Sequence, residues 1–140
     1  MARTFNIFTY GSLMFPAVWQ KVVRGDYRSS VASIHGFRRV CVRDGSHPAL
    51  IISPRAAPIV GRVYFGVSAE DVSRLDYFET HNYERVVVAI TVDSNAKEAQ
   101  AYLAVNMALL TDADWNEDTF ERSGLPVFLT TYAVKNSPPA

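Results

Sequence analysis

The sequence is poor in the groups that most often announce a chemistry. It contains one cysteine, Cys41, and three histidines, His35, His47 and His81. A single thiol closes no internal disulfide and builds no thiolate-rich zinc site. The histidines are scattered without HExxH or any other paired ligand spacing, so neither a metal nor another cofactor is expected. GxxxxGK and GxSxG are both absent, which excludes a phosphate loop of that kind and a nucleophile elbow. Charge of one sign is lacking too, because 14 Lys+Arg balance 14 Asp+Glu. A nucleic-acid binder would need a basic face to displace phosphate counterions. No apolar run approaches the roughly 20 residues of a membrane-spanning helix, and no apolar signal segment follows Arg3. The expectation is a soluble, cytoplasmic protein with no nucleic-acid or membrane partner.

What is present is a chain of 140 residues, 49% hydrophobic, which suits one domain with a closed core. Phe5 to Tyr10 is aromatic and β-branched and runs into Gly11-Ser12, a strand ending in a tight turn. Pro16 to Arg24 carries Val18, Trp19, Val22 and Val23 at helical spacing before Gly25. Strands are predicted over Phe37 to Arg43, Ala49 to Ser53 and Ile59 to Val67. Ser68 reads as a helix N-cap with Asp71 in the capping-box position, for a helix over Ala69 to Glu79. Val86 to Val92 is apolar on both faces and predicts a central, doubly covered strand. Ala99 to Val105 is the last strand predicted. Helix is expected beyond it, over Asp114 to Arg122 and along the stripe Leu125, Phe128, Leu129 and Tyr132, before a frayed tail over Lys135 to Ala140. The fold class is α+β, with strands outweighing helices.

Two segments could carry chemistry. In Thr9-Tyr10-Gly11-Ser12-Leu13 a strand ends just before a helix, which gathers backbone N–H groups able to hold a carboxylate or an oxyanion. The plain alternative is an ordinary turn with Gly11 at positive φ and Ser12 as a cap. The second segment is Leu75-Asp76-Tyr77-Phe78-Glu79-Thr80. On the helical wheel Glu79 falls between Val72 and Leu75, so its carboxylate leaves the apolar stripe at the helix C-terminus. Burial and helix dipole both push its pKa upward, towards that of a useful acid/base. Asp76 adds like-charge pressure or pairs with an arginine. The plain alternative is that Glu79 frays into water. Cys41, on the strand face of Arg39 and Arg43, reads as a half-buried structural cysteine, and His81 as an exposed loop residue.

Together these segments resemble the γ-glutamylcyclotransferase-like family, in its AIG2-like and γ-glutamylamine cyclotransferase branch. Phe8-Thr9-Tyr10-Gly11-Ser12-Leu13 is similar to the N-terminal YGSL signature. Gly36-Phe37, Pro48-Ala49-Leu50 and Val60-Gly61-Arg62-Val63-Tyr64 follow in order. Leu75-Asp76-Tyr77-Phe78-Glu79 fits LDxxE, Tyr83-Glu84-Arg85-Val86 fits the segment after it, and Ala101-Tyr102 matches the closing strand. The resemblance spans about residues 5 to 105. It departs at Thr80, where many members have glycine, and at Met14-Phe15, where the glutathione-specific branch carries tryptophan.

The resemblance implies a small mixed β-barrel with flanking helices as one domain over residues 1–140. Its core would cover about 5–105 and a helical C-terminal extension about 112–134. It implies cyclisation of a γ-glutamyl group to 5-oxoproline with release of an amine or amino acid. Glu79 would be the acid/base, Tyr10, Gly11, Ser12 and Leu13 the glutamyl-binding loop, and Tyr83 part of the pocket lining. A homodimer is expected from the resemblance alone. A non-catalytic small-molecule binding or sensor domain, or a protein-interaction domain, would use the same fold.

Overall fold

A computed structural model describes residues 3–139. Its centre is a closed barrel of five strands: β1 (Thr4–Thr9), β2 (Ser29–Ile34), β5 (Ile59–Ser68), β6 (Tyr83–Val92) and β7 (Asn95–Ala104). The order is β1-β5-β2-β6-β7. All neighbours are antiparallel except β1 and β7, which run parallel and close the barrel where Ile7 meets Gln100. Because side chains alternate along a strand, Phe8 points into the barrel with Val63, Ile90 and Ala101, while Ile7 points outward. There Ile7 meets a second apolar cluster, formed with α1 (Pro16–Val22) and α2 (Ala69–Glu79). Trp19 of α1 stacks on Tyr64 of β5 at a ring separation of 3.7 Å. The barrel and the helices that flank it bear out the α+β architecture expected from the sequence.

A second sheet, β4-β3-β8, joins β3 (Phe37–Val42) and β4 (Pro48–Ile52) to β8 (Leu110–Asp114). Beyond it lie α3 (Glu117–Thr119), a π-helical turn (Phe120–Gly124), α4 (Leu125–Thr130) and α5 (Tyr132–Lys135). One strand was not predicted, and two expectations are corrected. The serine-rich segment of β2 is a full barrel strand, although only Ala32 and Ile34 on it are buried. The region after Val105 is not wholly helical: after one 3₁₀ turn at Met107–Leu109, Leu110–Asp114 pairs with β3 along an exposed edge, and α-helix starts only at Glu117. Finally, β6 is covered on one face. Val88, Ile90 and Val92 face the barrel, while Val87 is 59% exposed. The doubly covered strand is instead β1, with Ile7 and Phe8 both buried.

Candidate active site

Two hydrogen bonds hold the loop after β1 at Tyr10. The Tyr10 hydroxyl donates to the Tyr102 carbonyl at 2.6 Å, and Arg39 Nη1 donates to the Tyr10 carbonyl at 3.0 Å. The Arg39 guanidinium also lies 5.0 Å from the centre of the Trp115 ring. Ser12–Met14 then make one 3₁₀ turn, with Met14 N–H donating to the Gly11 carbonyl and Phe15 N–H to that of Ser12. The N–H groups of Gly11, Ser12 and Leu13, at the start of the turn, precede any donor it uses internally. Gly11 has φ −141°, not a positive φ, and the Ser12 side chain caps nothing. Glycine is required here by contact, because a Cβ on Gly11 would lie 2.4 Å from Pro48 Cγ.

Glu79 is the last residue of α2. Ser68 caps the helix by accepting from the Asp71 N–H at 3.2 Å, as expected, but the reciprocal half of a capping box does not form. The Asp71 carboxylate turns away and accepts from the Arg24 and Gly25 N–H groups, Tyr27 Oη and Arg74 Nη1. That network moors the loop after α1 to the start of α2. At the other end, Val72, Leu75 and Phe78 are buried, and Glu79, which follows them, is half-buried and lines the interior cavity. Burial, and then the nearby negative charge of Asp76, pushes the Glu79 carboxyl up to about 8. Asp76 itself accepts from Arg85 Nε at 3.0 Å and from Tyr102 Oη at 2.6 Å, so it both pairs with an arginine and bears on Glu79. Thr80 follows at φ +69°, ψ −173°, backbone that glycine adopts almost exclusively.

Glu79 and Tyr10, Gly11, Ser12 and Leu13 line one cavity. The rest of its wall comes from Phe8, Thr9, His47, Pro48, Phe78, Tyr102, Phe128 and Tyr132. The free space is about 20 Å³, room for about one water molecule. Tyr83 lies outside the cavity wall and lines an adjoining groove with Asp76, Thr80 and Arg85. It reaches the rim by donating from its hydroxyl to the Pro48 carbonyl at 3.3 Å. His81 is exposed in the same groove, and Cys41 is half-buried on β3. His47, Phe128 and Tyr132 were not singled out from the sequence as lining residues. His47 immediately precedes Pro48-Ala49-Leu50, and that adjacency is the one signal that could have placed it here. Among the described residues no cluster of three His, Cys, Asp or Glu side chains comes together to hold a metal.

The sequence matches the family model described as gamma-glutamyl cyclotransferase, AIG2-like, over residues 7–117. The chain belongs to this family. Among its AIG2-like relatives, AIG2-like protein A of Arabidopsis thaliana is 28% identical over 133 residues, covering 91% of this chain and 78% of that relative. Protein AIG2 C of the same plant is 29% identical over 106 residues, 74% of this chain and 64% of its own. In structure, the chain is similar to an Arabidopsis thaliana protein solved in solution, with TM-score 0.67, 25% identity, and 96% and 95% of the two chains covered. A solved gamma-glutamyl cyclotransferase shares the fold at TM-score 0.64 and 16% identity, over 98% of this chain and 90% of its own. The AIG2-like segment contains Tyr10–Leu13, His47, Glu79 and Tyr102, whereas Phe128 and Tyr132 lie beyond it.

Proposed function

We propose that the protein is a γ-glutamyl cyclotransferase that converts a γ-glutamyl amine or amino acid to 5-oxoproline and the free amine. One observation carries the reading: Glu79 and the Gly11–Leu13 loop line the same cavity. In this reaction nucleophile and electrophile belong to one small molecule, so holding the chain curled in a near-attack geometry supplies much of the acceleration. The substrate's α-ammonium gives a proton to the Glu79 carboxylate. The freed amine attacks the γ-carbonyl carbon and a C–N bond closes the five-membered ring; the bond to the departing nitrogen breaks as Glu79 returns its proton to it, and the second proton of the ring nitrogen passes to the released amine, which leaves as an ammonium ion. Atoms and protons balance without water, a covalent enzyme intermediate or an external base. A carboxyl near 8 suits both halves of this cycle, since it is a far stronger base than an ordinary glutamate and still a usable acid at neutral pH. We assign the N–H groups at the start of the Ser12–Met14 turn to the substrate carboxylate or the developing oxyanion.

The products test this reading. Incubation with a panel of γ-glutamyl amines and amino acids should release 5-oxoproline and amine in equal amounts, with no glutamate. Glutamate in place of 5-oxoproline would mean hydrolysis and contradict the cyclisation. Tight binding without any product would mark the chain as a non-catalytic binding domain.

A further inference from the structure

Away from the Glu79 cavity, the second sheet carries a groove of about 500 Å³ to which the cyclisation gives no task. It lies between the start of β3, the turn that leads from β4 to β5, and the end of β8. Arg38, Arg39 and Arg55 line it together with Phe37, Ile59 and Trp115, and Asp114 is the one carboxylate among its described lining residues. None of these residues belongs to the wall of the Glu79 cavity.

The three arginines are not equivalent. Arg38 is already occupied, since Nε donates to Asp114 Oδ1 at 2.5 Å and Nη2 to the Asp112 carbonyl, so its charge is matched. Arg39 is held but poorly compensated. Its Nη1 donates to the Tyr10 carbonyl and its guanidinium lies against the Trp115 ring, while the Glu117 carboxylate stands 3.9 Å away, beyond hydrogen-bonding reach. Burial lowers the Arg39 pKa from the usual arginine value, and the charge of Glu117 offsets only part of that. Arg55 is exposed on the turn and, among the described residues, forms no ion pair. Each guanidinium carries five N–H donors. Two cations with donors to spare therefore line one groove.

A guanidinium fork matches the oxygens of carboxylate and phosphate, but two unmatched cations call for a dianion. A phosphate monoester carries about −1.5 to −2 at neutral pH with three acceptor oxygens, whereas a single carboxylate would leave one arginine without a counter-charge. The groove is also larger than a bare phosphate fills, and Phe37 and Ile59 give its remainder an apolar wall. We infer that Arg39 and Arg55 form a binding site for a small phosphate monoester, with both guanidinium groups on the phosphate and the organic group against Phe37 and Ile59. Because the same Arg39 holds the Tyr10 carbonyl, occupancy reaches the Tyr10–Leu13 loop without a ligand entering the Glu79 cavity. The site stands apart from the cyclotransferase reading and does not depend on it.

Phenyl phosphate titrated into isotopically labelled protein, with the amide resonances followed by NMR, tests the site. Saturable shifts are expected at Arg39, across Ser53–Ala57, and at Tyr10 and Gly11. Inorganic phosphate should bind more weakly, and phenol should leave these resonances in place. Arg55→Ala lies on an exposed turn and should keep the fold while weakening phenyl phosphate about tenfold or more, the scale of a lost charge-assisted hydrogen bond. Arg55→Lys, which keeps the charge and loses the fork, should fall between that variant and the wild type. Glu79→Gln should bind as the wild type does. Shifts that never saturate or that scatter over the surface cations, equal affinity for inorganic phosphate, or unchanged binding by Arg55→Ala would overturn the monoester site. Saturation that leaves Tyr10 and Gly11 unmoved would overturn the link to the loop.

Discussion

Gly11 and Thr80 flank the chemistry and obey opposite constraints. Gly11 has ordinary backbone but no space, since Pro48 Cγ occupies the position a side chain would need. Gly11→Ala should therefore force the loop away from Pro48, costing about 1–3 kcal/mol in denaturant melts as an overpacked contact does. It should lower turnover as well, because the Ser12 and Leu13 N–H groups would move with the loop. Thr80 has space but costly backbone. At φ +69° and ψ −173° a β-branched residue bears about 1–3 kcal/mol of strain. Thr80→Gly should stabilise the fold by about 1–2 kcal/mol, offset in part by loss of the Thr80 hydroxyl that accepts from Asn82 N–H at 3.4 Å. Thermal melts read the sign directly, and a less stable variant would mean that the strain is relieved in a way the backbone angles do not reveal.

At the level of elements, α2 is the piece on which the site hangs, and Asp71 is its mooring. Burial alone would raise the Asp71 carboxyl. Hydrogen bonds from Tyr27, the Gly25 and Arg24 N–H groups and Arg74 outweigh it and hold the carboxyl below its usual value. A depressed carboxylate stabilises the fold above its unfolded pKa, and the contribution fades as pH falls through the folded value. Asp71→Asn should thus cost about 2–3 kcal/mol at neutral pH and flatten the acid side of the stability curve. The ends of α2 were legible because Ser68 is a strong cap and the apolar stripe runs straight to Phe78. Glu79 was legible for the same reason, since a helical wheel already places it among Val72 and Leu75. β2 was not, because its outward serines mask the two buried residues, Ala32 and Ile34, that define a barrel strand. β8 contains two aspartates and earns its place only by pairing with the edge of β3. The valine run of β6 misled in the other direction: a barrel strand needs one apolar face, and the exposure of Val87 shows that the second is surplus. His47 was missed for a different reason. A search for paired ligands finds nothing in an isolated histidine, and only the return from β3 to β4 together with the late helices brings its ring to the cavity.

For the molecule as a whole, Glu79 couples the site to stability. Its pKa rises from 4.5 to about 8 on folding, so the native state holds this proton more tightly than the unfolded chain does. The contribution is complete below about 4.5 and is lost as pH climbs towards about 8. Melting temperatures of the wild type should fall across that window, and Glu79→Gln should remove the slope and be the more stable protein at pH 8. Coincident curves for the two would mean that the carboxyl is not buried as described. The balanced charge of the chain fits this picture. The site depends on one buried carboxyl, backbone dipoles and aromatic walls rather than on a broad charged field. The same arrangement predicts a rate that rises with pH as the Glu79 carboxylate forms, with its midpoint near 8.

The most direct measurement is 5-oxoproline release by wild-type protein and by Glu79→Gln under identical conditions, with a γ-glutamyl amine that the wild type turns over. The variant keeps the shape of the side chain and loses the ability to take and return a proton. It should remain folded and bind the substrate, with turnover reduced by at least about a hundredfold, the lower end of what a positioned acid/base contributes. Turnover at the wild-type rate by a folded Glu79→Gln protein would contradict the account.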